Sequence, residues 1–238
     1  MEKTKKTKKT KRPLPKFFRV FDWQYMFHDF AKLTGWLHVL FLFRLKSHFI
    51  SKLAKKESKK LEPFVIISNH HNFSDAIAVL NHFWYRRVPM LIQNGAQKHK
   101  AAIFLQWFKC VFVNRENVAY KTFTQCFEIL DRGHCLGIFP EGHFVHTEEL
   151  ESFKDGASLI AWKKNVRIIP VFVPLRKAVR NRQHLVIGEP ISPREIVTDA
   201  HPSVEDFHKI TLACEAKMKE LKDFYEARKG EQNGKEPN

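Results

Sequence analysis

Phe64-Val65-Ile66-Ile67-Ser68-Asn69-His70-His71-Asn72-Phe73-Ser74-Asp75 is the stretch whose reading decides the fold of this chain. A short β-branched run that breaks into polar residues reads as a buried strand delivering a histidine to the edge of a sheet. Asp75 lies five positions after His70, within reach of the imidazole through a turn or a first helical turn. A carboxylate on one ring nitrogen fixes the tautomer and leaves the other free to take a proton from a hydroxyl. Spacing alone does not carry this reading. It recurs at His201 and Asp206, where Pro202-Ser203 looks like an ordinary helix entry. What sets His70 apart is the strand before it and three further motifs after it.

Downstream, Ala76 to Leu80 suggests a helix behind the histidine loop, and Val88 to Ile92 a strand. Ala101 to Phe108 reads as a short apolar helix leading into the strand Val111 to Val113, which ends in Asn114-Arg115. An arginine at the carboxyl end of a strand sits where α/β proteins bind ligands, and its planar fork suits a phosphate. Tyr120 to Leu130 is an amphipathic helix, and Leu136 to Phe139 a strand closed by Pro140-Glu141-Gly142, where glycine permits close approach of a ligand. Ser158 to Lys164 is helical and Val166 to Val173 a strand containing Pro170. Proline removes a ladder donor, so Pro170 is expected at an edge or a bulge. Leu185 to Ile187 adds a late strand. Ser203 and Asp206 then cap a final helix with an apolar stripe of Val204, Phe207, Thr211, Cys214, Met218, Leu221 and Tyr225. Strands alternating with helices imply an α/β fold: a central mixed, mostly parallel sheet flanked by helices.

Working outward to the N-terminus, Lys55 to Lys60 is a polar break, and Pro63 opens the catalytic domain. Residues 17–60 carry eight Phe up to Leu53, with Trp23, Tyr25 and Trp36 interleaved with Arg19, Lys32, Arg44 and Lys46. Such apolar faces with aromatic and basic flanks suit an aromatic-rich helical segment lying in a membrane interface. Residues 1–16 form a basic tail, in which each cation is worth roughly 1 kcal/mol near an anionic leaflet. The expected division is therefore tail 1–16, interface segment 17–60, catalytic domain 61–226 and polar tail 227–238. With 238 residues, 44% hydrophobic, the chain has material for one substantial core. A formal charge of +16 calls for an anionic partner. No recognised nucleic-acid motif accompanies it, which favours an anionic membrane surface over nucleic acid. No secretory signal is read, and the longest uncharged apolar stretch, Leu33 to Phe43, is short of the ~20 residues a membrane span requires. The expected place is the cytoplasmic face of the cell membrane, as a peripheral or monotopic protein. Cys110, Cys126, Cys135 and Cys214 lack metal-finger spacing and read as reduced, buried thiols.

Taken in order, the motifs resemble the glycerolipid acyltransferase family, of the bacterial 1-acylglycerol-3-phosphate type. Asn69, His70 and Asp75 match its Asn-His-x-x-x-x-Asp; Phe112-Val113-Asn114-Arg115 resembles its second motif. Phe139-Pro140-Glu141-Gly142 is its third unchanged, and Ile168-Ile169-Pro170-Val171 its fourth. Phe153-Lys154-x-Gly156-Ala157 and Gly188-Glu189-Pro190-Ile191 also fit. The resemblance implies transfer of a fatty acyl group from an acyl-CoA or acyl carrier protein thioester to lysophosphatidic acid. The product would be phosphatidic acid, in phospholipid synthesis. It implies His70 as general base oriented by Asp75, with Arg115, Glu141, Gly142 and Pro170 binding substrate. No metal or cofactor beyond the donor substrate is implied. Several positions depart from the pattern: Asn72 for a frequent serine, Lys109 for a common glycine, and Asn114 for an acidic residue. His143-Phe144-Val145-His146-Thr147 stands where a Thr/Ser-Arg-Ser sequence is usual. That last change leaves open another lysophospholipid, or an aminolipid, as acceptor. Two rival readings are a hydrolase metal site built from His70, His71, Asp75, Glu141, His143 and His146, and a non-catalytic membrane-binding module. No G-x-S-x-G elbow is present, against a covalent serine route.

Overall fold

The structure, a computed structural model, describes residues 23–30, 33–34, 44–93, 105–106, 108–114, 120–176 and 182–233. In chain order these form β1 (Lys46–Phe49), α1 (Lys52–Ser58), β2 (Phe64–Ser68), α2 (Phe73–His82), β3 (Leu91–Gln93), β4 (Val111–Val113), α3 (Tyr120–Asp131), β5 (Leu136–Ile138), α4 (Gly156–Lys164), β6 (Arg167–Phe172), β7 (His184–Ile187), α5 (Pro193–Ile196) and α6 (Val204–Asn233).

The apolar run before His70 becomes β2, whose five residues are all buried, as expected of a strand covered on both faces. The main sheet runs β1-β7-β6-β2-β5, and β3 and β4 form a two-stranded sheet joined to β5 by a parallel bridge between Met90 and Gly137. Every named pairing is parallel except β6 with β7. The mixed, mostly parallel sheet expected from the strand–helix alternation is therefore what forms. Val65 and Ile67 pack into a core beneath α3, α4 and α6, while Phe64 and Ile66 pack on the other face against Ala78, Val79 and Phe83. Because β2, β5 and β6 run together, the residues following them emerge at one edge.

Pro170 lies inside β6, an interior strand, opposite Ile67 of β2. Its carbonyl accepts from the Gly188 N–H at 2.9 Å. Pairing shifts there: Val171 faces Ile187, whereas Ile168 bridges Ile191, so three steps on β6 oppose four on the other strand. That extra residue is a bulge, and it absorbs the missing proline donor.

Two boundaries differ from expectation. Lys46–Phe49, inside the stretch read as interface helices, is a strand, its four residues paired in parallel with His184–Ile187 of β7. The final helix runs to Asn233, into the stretch expected as a polar tail, 227–238. Its Val204 is 72% exposed, while Ile210, absent from the expected stripe, is fully buried. Residues 1–22 lie outside the described residues, as do Arg115 and most of the helix expected over 101–108. In the N-terminal segment, Tyr25 and His28 are buried, and Asp29 takes a forked salt bridge from Arg87. Trp23, Met26, Phe30 and Leu33 are exposed on the same segment. Among the described residues no helix is long and apolar enough to cross a membrane.

Lys109, in the glycine position of the pattern, holds φ at 58°. A left-handed conformation costs a non-glycine residue about 1–2 kcal/mol, which is why glycine is common there.

Candidate active site

β2 ends at Ser68, and Asn69 ties the next turn to the sheet. Its side-chain amide donates to the Val173 carbonyl at 2.9 Å, and its Oδ1 accepts from the Val173 N–H at 2.8 Å. The same amide group lies 2.9 Å from His71 Nε2, while His71 Nδ1 lies 2.8 Å from the Val145 carbonyl. With Asn69 donating, His71 carries its proton on Nδ1 and donates it to Val145. His71 is thus a buried brace, used up by structural bonds.

Asn72 starts α2 as its N-cap, with Oδ1 accepting from the Ser74 N–H at 2.8 Å. Asparagine is among the best N-caps, so its departure from the usual serine keeps the cap. Asp75 closes the box: its Oδ2 accepts from the N–H groups of Asn72 at 2.7 Å and His71 at 2.6 Å. The same Oδ2 stands 3.6 Å from His70 Nδ1. This pair is within ion-pair range but is not a hydrogen bond, and His70 Nδ1 is buried without a hydrogen-bond partner. The His70 side chain keeps 15% exposure, which therefore belongs to the rest of the ring.

The turn after β5 comes in from the other side. Gly142, at φ 78°, donates to the Phe139 carbonyl at 3.1 Å. Such a φ favours glycine. Lys154 crosses this turn, its Nζ about 3.5 Å from where a Gly142 Cβ would stand. Glu141 is 2% exposed, and its Oε2 accepts from the His70 backbone N–H at 2.9 Å. Burial raises the Glu141 carboxyl to about 7, against the N–H groups of His70 and Glu151, which favour its ionised form. Beyond the turn, His143 pairs with Glu151 at 2.7 Å. The His70 ring stacks on Phe139 at 3.7 Å between centroids and 10° between planes, and meets Phe144 at 4.4 Å and 45°.

The structure thus brings together His70, Asp75, Glu141 and Gly142. Pro170 lies one strand over, on β6 beside Ile67 of β2, and Arg115 lies outside the described residues. Among the described residues no group of three or more His, Cys, Asp or Glu side chains is arranged to hold a metal ion. Burial pushes the Cys110 thiol up to about 11, which makes it a poor nucleophile. The aromatic contacts of His70 escaped the sequence reading. Phe139 reads as the end of a strand and the start of the third motif, Phe144 as part of a departure from the pattern, and nothing in their spacing marks them as neighbours of one imidazole.

A strand-borne histidine with a buried carboxylate, at the carboxyl edge of a mostly parallel sheet, defines the class: an α/β protein whose site is built on strand ends. The acyltransferase family profile matches residues 49–174, a little over half the chain, and the chain belongs to that family. A probable 1-acyl-sn-glycerol-3-phosphate acyltransferase of Mycoplasma genitalium is 25% identical over 121 residues, covering 47% of this chain and 44% of that protein. Its counterpart in Mycoplasma pneumoniae is 23% identical over 127 residues, covering 51% and 48%. The match thus spans about half the length of these curated relatives. In fold, the chain is similar to the solved 1-acyl-sn-glycerophosphate (LPA) acyltransferase, PlsC, from Thermotoga maritima. The TM-score is 0.58 at 18% identity, over 88% of this chain and 89% of that one.

Proposed function

We propose that this protein transfers a fatty acyl group from an acyl-CoA or acyl carrier protein thioester to the free hydroxyl of 1-acylglycerol-3-phosphate, giving phosphatidic acid. The observation that carries this reading is His70 at the sheet edge, with its Nδ1 buried 3.6 Å from Asp75 Oδ2. An imidazole facing a carboxylate on one nitrogen is a competent general base through the other. The acceptor hydroxyl gives its proton to His70 as its oxygen attacks the thioester carbon. The carbon–sulfur bond then breaks, and the thiolate takes the proton back. Family membership and the two curated relatives' printed names support the same reaction.

Glu141 and Gly142 shape the pocket beside the base, Pro170 supports its wall, and Arg115 pairs with acceptor phosphate. The reaction needs no metal or cofactor, since a thioester is already activated. Attachment to the cytoplasmic face of an anionic membrane belongs to this reading. It is supported by the +16 charge and by the exposed Trp23, Met26, Phe30 and Leu33, which recur at helical spacing. One observation favours a second acceptor class, another lysophospholipid or an aminolipid. The stretch after Gly142 presents an imidazole bound to Glu151 and a phenyl ring on His70.

The test is long-chain acyl-CoA consumption by purified protein, with and without lysophosphatidic acid, read by mass spectrometry beside His70→Ala. Phosphatidic acid from wild type alone establishes reaction and base. Silence with every thioester donor and lysolipid tried overturns the reading.

A further inference from the structure

We propose that the plane of the His70 imidazole is set by an aromatic clamp, Phe139 on one face and Phe144 on the other, and that Phe144 is the positioning residue of this site. The proposal rests on the reading of His70 as general base. A base must be held within a narrow range of angles to receive a proton, and a single carboxylate facing Nδ1 leaves the tilt of the ring about that contact unset. Asp75 Oδ2 already accepts two backbone N–H groups at 2.6 and 2.7 Å, and stands 3.6 Å from Nδ1, beyond hydrogen-bond reach. Asp75 builds the loop and faces Nδ1 with its charge, and the tilt of the ring is shared with other contacts.

The two phenyl rings make those contacts. Phe139 lies flat against the imidazole at 3.7 Å and 10°, and Phe144 meets the same ring at 4.4 Å and 45°, which in the clamp puts it on the side Phe139 leaves free. Phe144 does not drift into this position as a free loop residue. Its neighbour Val145 donates to the His70 carbonyl at 2.7 Å and accepts from His71 Nδ1 at 2.8 Å. Both backbone groups of Val145 are thereby tied to the histidine pair, and the ring preceding it is carried onto His70. Phe144 itself is 47% exposed, so its placement does little for the core and is open to the incoming substrate.

The test uses the full chain and three variants, Phe144→Ala, Phe144→Leu and Phe144→Tyr, with two readouts. The first, independent of activity, is the rate at which diethyl pyrocarbonate modifies His70, followed by mass spectrometry. The second is steady-state acyl transfer, with kcat and KM separated. Phe144→Ala should label His70 several-fold faster, and should lower kcat about 10- to 100-fold with KM for the thioester within about twofold, as for a misoriented group. Phe144→Tyr, which keeps the flat ring, should match wild type in both. Phe144→Leu, apolar but not flat, should fall with Phe144→Ala. Unchanged labelling in Phe144→Ala overturns the clamp, as does a Phe144→Leu protein with wild-type kcat. Faster labelling in Phe144→Ala, with no acyl transfer by wild type from any thioester, would uphold the clamp and sink the acyltransferase reading instead.

Discussion

The chain spells His-x-x-x-x-Asp twice, and the two copies end in different places. In both, the aspartate serves the start of a helix. Asp75 Oδ2 accepts from His71 and Asn72; Asp206 Oδ2 accepts from the Ser203 N–H at 3.0 Å, while Ser203 Oγ accepts from the Asp206 N–H at 3.2 Å. Around that shared device the surroundings diverge. Asp75 is 1% exposed, and its histidine is delivered by a strand buried on both faces and packed against two aromatic rings. His201 follows no strand. It is exposed, and only its backbone N–H is engaged, donating to Asp199 Oδ1 at 3.0 Å. Five-residue spacing between imidazole and carboxylate is thus a capping geometry first. It becomes chemistry only where a sheet edge buries the carboxylate and leaves part of the ring open.

The sharpest way to break this comparison is to delete each histidine. His70→Ala should lower acyl transfer by about 10²–10⁴-fold, the usual worth of a general base, whereas His201→Ala should leave it unchanged. An equal loss in both, in the same mass-spectrometric assay, would show that burial is not what separates them. The aspartates come next. Asp75→Ala strands two backbone donors in a dry loop, at roughly 1–3 kcal/mol for each buried unsatisfied group. Asp206→Ala lets water take over at an exposed helix start and should cost less than about 1 kcal/mol. Urea unfolding midpoints at constant m-value distinguish the two.

How much of this contrast is legible in the sequence depends on what carries the information. The strand before His70, the cap at Ser203 and the glycine turn at Gly142 rest on local patterns, and each forms where those patterns put it. Lys109 departs from the family pattern and holds a left-handed φ, a conflict that becomes visible only in the folded backbone. Lys46–Phe49 is too short for its period to outweigh the aromatic run before it, so only pairing with β7 identifies it as a strand. Within the site, His70, Asp75 and Glu141 follow from motif and spacing. The stacking of Phe139 and Phe144 on His70 depends on contacts across as many as 74 positions and leaves no mark on the local pattern.

Glu141 has no counterpart at the second copy, and that makes the contrast testable by pH. Its carboxyl is raised from 4.5 to about 7 by burial, so the folded protein keeps a proton that the unfolded chain has already released. Stability from this group is therefore fully present below pH 4.5 and is lost as pH rises toward about 7. Denaturation midpoints across that window should fall for wild type and stay level for Glu141→Gln once other titrations are subtracted. Parallel curves would mean that Glu141 is solvated and that the pocket behind His70 is open.

The smallest effect is expected at Ser203, and it isolates what the second copy does. Ser203→Ala removes the side-chain acceptor of the Asp206 N–H, a loss of about 0.5 kcal/mol, the low end for an N-cap, at this exposed helix start. Since α6 packs on the core through Ile210, Cys214, Met218 and Leu221, the first turn should fray without undocking the helix. Hydrogen exchange should therefore speed up over the first turn of α6 and nowhere else, and acyl transfer should be unchanged. A drop in activity would show that the start of α6 is coupled to the site. The route would run through the Phe153 N–H, which donates to Glu215 Oε1 at 2.6 Å next to Lys154. The second copy would then be more than a cap.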